Sequence, residues 1–67
     1  MNKELFKYYA AKNGDNMRSV AKALNLWPQT ISARINGRYG KFSYEEIAIL
    51  KQRWQLNDEQ CADIFLQ

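Results

Sequence analysis

Five signals for starting a helix are spread along these 67 residues, and they leave room only for short helices joined by tight turns. Ser43 is followed three residues later by Glu46, the spacing of a reciprocal capping box, and Phe42 just ahead of it can pack on Ile47 as a hydrophobic staple. Asn57 repeats the design with Gln60, with Leu56 stapled to Cys61, and Asp58 and Glu59 place negative charge where a helix dipole is positive. Pro28 suits the first position of a helix and holds Trp27 extended before it, with Leu26 stapled to Ile31. Asn16 can cap a helix from Met17 to Leu24. Asn2 can cap the first helix, which should end near Asn13 with Gly14 in a left-handed turn.

Apolar spacing agrees with those starts. Leu5, Phe6, Tyr9 and Ala10 share one helical face, as do Val20, Ala21 and Leu24, and Ile31 with Ile35. Ile47, Leu50 and Trp54 make a fourth face, and Cys61, Ile64 and Phe65 a fifth. No segment alternates with period two long enough to form a strand. The expectation is an all-α, five-helix single domain over residues 1–67, without repeat, linker or low-complexity segment.

Composition narrows the functional classes. A chain this short buries only about 60% of its unfolded surface, so its stability is marginal and a partner chain would help. One cysteine cannot form an internal disulfide, and with no histidine there is no Cys/His set for zinc. No apolar stretch reaches the roughly 18 residues of a membrane span, and no signal peptide opens the chain, so a reduced, soluble, cytoplasmic domain is expected. Catalysis is not expected: there is no histidine base and no nucleophile–base pair at a recognisable spacing. The net charge of +3 conceals an asymmetry. The first 41 residues hold eight basic side chains against Glu4 and Asp15, a +6 half. Residues 42–67 hold Lys51 and Arg53 against five acids, a −3 half. A basic front suits a polyanion, although such an excess can also be only a solvated surface.

Residues 17–37 carry the most information. Two helices of about eight residues meet across Asn25-Leu26-Trp27, a turn that suits a steep crossing. Ala21 is small where the second helix would cross. Asn25 occupies a turn position that often needs positive φ, which Asn tolerates, and Leu26 plugs the turn into the core. Ala21, the Asn25-Leu26 turn, and Thr30-Ile31-Ser32 followed by Asn36-Gly37 resemble the helix-turn-helix of the lambda-repressor-like class. That class holds the Cro and repressor proteins of bacteriophages and the XRE-type bacterial regulators. The resemblance spans essentially the whole chain, with one helix before the motif and two after, and is greatest to the short Cro-like proteins of prophages, which also end in an acidic-aromatic helix. The chain departs from the class in Asn25 for the usual Gly, Trp27-Pro28 for the usual Ser or Thr cap, and Arg34 where many members have an apolar residue.

The resemblance implies a domain that binds operator DNA with the second motif helix in the major groove, its N-terminal residues nearest the bases. At about 100° per residue, Gln29, Ala33 and Asn36 point away from the buried direction set by Ile31 and Ile35. Ser32 and Thr30 flank that outward face, and Arg34 sits at the core margin. Gln29 is the leading base reader, since its amide can donate and accept at adenine. Ser32, Ala33 and Thr30 follow it, while Asn36 lies too far along the helix to penetrate the groove. Each could instead be a solvated surface residue. Asn16, Arg18, Arg38, Tyr39, Lys41 and Ser43 are the expected phosphate contacts. Arg34 either pairs with an acid on another helix or touches DNA. Trp27 is expected as a partly buried cover for the turn, with stacking on DNA as the rival reading.

The implied activity is that of a Cro-type repressor that occupies double-stranded operator DNA, with no cofactor, metal, membrane or small-molecule ligand. A protein-interaction module of the same architecture, antirepressor- or antitoxin-like, is the alternative. Operators of this class are read as half-sites about 34 Å apart, so a homodimer is expected at least on DNA. Ile64, Phe65 and Leu66 of the acidic last helix are the candidate dimer surface, unless Ile64 and Phe65 simply close the monomer core.

Overall fold

Each start signal opens a helix. In the computed structural model, which describes residues 1–38 and 40–66, α1 spans Lys3–Lys12, α2 Met17–Leu24, α3 Pro28–Ile35, α4 Tyr44–Arg53 and α5 Asp58–Phe65. No strand occurs among the described residues, and no helix is long and apolar enough to cross a membrane.

The N-terminal ends are held by side chains. Asn2, Asn16, Ser43 and Asn57 each accept a hydrogen bond from the backbone N–H three residues on, and in α2, α4 and α5 the third helical residue returns the bond to complete a capping box. Ser19 is the return partner in α2, one that the expected Glu/Gln pattern passes over. Only α3 begins without a side-chain cap, at Trp27.

The C-terminal ends share one device. After α1, α2, α3 and α4 the chain enters the left-handed region at Gly14, Asn25, Gly37 and Gln55. At each the next residue donates its N–H five residues back: Asp15 to Ala10, Leu26 to Ala21, Arg38 to Ala33 and Leu56 to Lys51, all at 2.8–2.9 Å. These are Schellman closures, which satisfy orphan carbonyls and turn the chain sharply enough to start the next segment. Trp54 lies within the last of them, just beyond α4, and not in the helix itself.

The core gathers around Phe6. Its ring stacks on Phe42 at 5.6 Å and meets Trp54 and Phe65 edge-on at 5.1 and 6.2 Å. Val20, Ile31, Leu50 and Ile64 are fully buried beside it, one from each of α2 to α5. Ala21 is buried on α2, whose packing against α3 is the most extensive helix pairing among the described residues. The backbone N–H of Asn2 donates to the Ile64 carbonyl at 2.7 Å, tying the start of α1 to the end of α5. The radius of gyration is 10.6 Å, against about 11 Å expected for a chain of this length.

A single carboxylate joins three helix ends. Asp15 follows α1 and precedes the cap of α2, and its side chain is 4% exposed. It accepts Arg53 Nε and Nη2 at 2.8 Å, Trp54 Nε1 at 2.7 Å and the Ser19 hydroxyl at 2.8 Å. The Ser19 oxygen in turn accepts the Asn16 N–H, so the carboxylate supports the capping box of α2 directly. The Arg53 hydrogen bonds hold the Asp15 carboxyl well below its ordinary pKa of 3.8, against desolvation, with Trp54 and Ser19 adding to the lowering.

Replacing the carboxylate removes charge-assisted bonds from partners that stay in place. Asp15→Asn should destabilise the fold by about 2–3 kcal/mol near neutral pH, measured by urea unfolding. A carboxylate with a depressed folded pKa stabilises above its unfolded pKa, and that contribution is lost as pH falls through the folded value. The stability gap between parent and variant should therefore narrow below about pH 4. A gap that stays constant through that range contradicts the assignment.

Candidate nucleic-acid interface

The two ends of α3 are set by backbone geometry. Asn25, at φ 56, turns the chain out of α2, and Leu26 closes the Schellman motif and packs partly buried on the core. Trp27 is extended, at φ −81 and ψ 148, as the residue before a proline must be. Successive residues in extended chain point to opposite sides. With Leu26 inward, the indole is sent outward and is 75% exposed. The expectation that Trp27 covers the turn is thereby overturned.

Along the helix, Ile31 and Ile35 are buried, and Gln29, Ser32 and Asn36 are exposed. Thr30 is half-buried, in keeping with its flanking place on the wheel. Ala33, expected to face fully outward, is also half-buried. The chain folds back after Gly37 so that the Arg38 N–H bonds the Ala33 carbonyl, a return that a helical wheel does not include. Gln29 and Ser32 thus form the open polar part of this face, at its N-terminal and central turns. Asn36 is committed to a local network: its Nδ2 donates to the Ser32 carbonyl at 2.9 Å, and its Oδ1 accepts Lys3 Nζ at 3.2 Å. Lys3 therefore stands beside the end of α3, a neighbour that sequence spacing could not reveal across 33 residues.

Of the two courses open to Arg34, the structure takes the ion pair. Its guanidinium bonds Glu46 with both side chains largely covered, and it lies 5.8 Å over the Phe42 ring. The same Glu46 oxygen accepts the Ser43 N–H at 2.8 Å, so one carboxylate completes the α4 capping box and fastens α3 to it. This changes the standing of Ser43 as a phosphate contact. Its N–H and its hydroxyl oxygen are both used in the box, and Glu45 and Glu46 put negative charge on that helix end.

The other expected backbone contacts are accessible. Arg18, Arg38 and Lys41 are exposed and pair with no carboxylate among the described residues. Asn16 is exposed too, its side-chain oxygen occupied by the Ser19 N–H. Tyr39 lies outside the described residues. Among those described, the three ion pairs take up Arg34, Lys51 and Arg53. Both cations of the acidic half are thus neutralised locally, and of the eight in the basic half only Arg34 is.

The candidate dimer surface is altered. Ile64 is fully buried and Phe65 is half-buried against Phe6 and Phe42, so both close the core. Leu66 alone of the three is well exposed, at 78%. Leu66 and the exposed Tyr44 lie on an open groove of about 820 Å³ whose lining includes Met1, Ile35, Phe42 and Ile47. Among the described residues no cluster of three or more Cys, His, Asp or Glu side chains stands where it could hold a metal ion.

No family model, curated protein or solved structure matches this chain.

Because Glu46 serves both Ser43 and Arg34, Glu46→Ala should destabilise the fold by about 1–2 kcal/mol. The exposed neighbour change Glu45→Ala should cost less than about 0.5 kcal/mol. Equal losses in denaturant unfolding would contradict the shared role.

Proposed function

We propose that this chain is a sequence-specific DNA-binding regulator of Cro type, which represses by occupying operator DNA with α3 in the major groove. The observation that carries the reading is the solvent face of α3. Gln29 and Ser32 are exposed on a helix that α2 holds through the left-handed turn at Asn25, and the exposed cations Arg18, Arg38 and Lys41 flank it in sequence. Gln29 reads a base edge, adenine N6/N7 suiting its paired donor and acceptor best. Ser32 and Thr30 add hydrogen bonds, and Ala33 supplies a methyl at the margin. Arg18, Arg38 and Lys41, with Asn16, fix the register on phosphates. Lys3, beside Asn36, joins that set. No chemical step, metal or cofactor belongs to this activity. A reducing cytoplasm suits the lone, half-buried Cys61.

The regulator acts as a homodimer on DNA, since one such helix contacts too few bases for useful specificity. Leu66 and Tyr44, the exposed large apolar side chains on the groove, replace Ile64 and Phe65 as its contact surface. That same groove favours the second reading, a protein-interaction module that grips an apolar segment there and leaves DNA alone.

Selection from a random duplex library separates the two. The parent should enrich a two-fold symmetric site with half-site centres about 34 Å apart. Gln29→Ala should bind that site about 1–3 kcal/mol more weakly and lose preference at one position in each half. An unchanged motif from the variant removes Gln29 as the reader, and no enrichment by the parent overturns the DNA-binding reading in favour of the module.

A further inference from the structure

Trp27 departs from two local rules at once. It is the most exposed of the large apolar side chains on the helix-turn-helix, and it stands at the N-cap of α3, the one helix of the five that begins without a side-chain cap. Ser or Asn at this position would supply the cap and remove the exposed indole together. Local concessions of this kind concentrate at functional positions.

The backbone that carries the indole is also held. Leu26 anchors one side of Trp27 to the core and Pro28 restricts the other to extended backbone, leaving two side-chain torsions to order on contact. Gln29 follows two residues later, so both exposed side chains belong to the N-terminal end of α3, the end that meets base edges in the reading above. There the apolar feature of the base edges is the thymine 5-methyl group, which aromatic and aliphatic side chains contact.

We propose that Trp27 is a specificity-determining residue that packs its indole on a thymine 5-methyl group next to the base read by Gln29. The assignment rests on the DNA-binding reading above. The position thus gives up helix capping for an apolar contact made only on DNA.

The test uses the parent, Trp27→Ala and Trp27→Ser on the selected operator, with each thymine of one half-site replaced in turn by deoxyuridine, which removes only the methyl. For the parent, one replacement should weaken binding about fourfold, the worth of one buried methyl. That replacement should make no difference to either variant. Trp27→Ser should melt at least about 4 °C above the parent while binding more weakly, which separates lost contact from lost fold. If the deoxyuridine effects are the same in parent and variants at every thymine while the parent still binds its operator, the Trp27 assignment is overturned and the DNA reading stands. If the parent binds no duplex, both are overturned.

Discussion

The buried Asp15 carboxylate is the joint on which the arrangement of helices depends. It ties the end of α1, the capping box of α2 and the end of α4 through four hydrogen bonds to Arg53, Trp54 and Ser19. The buried core is small, so each polar tie between helices weighs heavily in the stability. A charge-assisted node at one end of the bundle therefore has a large effect on how α2 is set. The position of α3 follows, because it packs most extensively on α2 and leaves it through the single turn at Asn25. At the opposite side Glu46 fastens α3 to α4 through Arg34. The polar face of α3 is thus held from two directions by carboxylates that each also serve a helix cap.

What could be read from the sequence is what is local. The caps at Asn2, Asn16, Ser43 and Asn57, the left-handed turns at Gly14 and Asn25, and Pro28 at the start of α3 each depend on residues within a turn of one another. Asp15 escaped because its strongest partners are 38 and 39 residues away. Lys3 beside Asn36 escaped for the same reason. Gln55 gave no sign of its left-handed backbone, which tertiary packing of Leu56 and Trp54 imposes on a residue that does not favour it.

The site itself was legible in part. Periodicity correctly separated the buried Ile31 and Ile35 from the exposed Gln29 and Ser32. It misjudged Ala33, because the return of the chain after Gly37 is not a property of α3. Trp27 is expected as a partly buried cover for the turn, and the exposed indole departs from that because both Leu26 and Trp27 are apolar and only the backbone decides which one faces the core. Of the two readings of Ile64 and Phe65, dimer surface or monomer core, the core is the one realised. The charge asymmetry gains meaning from the ion pairs: among the described residues the cations of the acidic half are neutralised in place, and the exposed cations on either side of α3 are not.

In the proposed function, the exposed face of α3, with the cations around it, meets duplex DNA. Amide chemical-shift mapping during titration with the selected duplex tests it most directly. The largest changes are expected at Trp27 and residues 29–32, Pro28 having no amide N–H, with further changes at Arg18, Arg38 and Lys41, and little change at the fully buried Leu50 and Val20. Changes confined to the groove around Tyr44 and Leu66, with α3 unmoved, would contradict it.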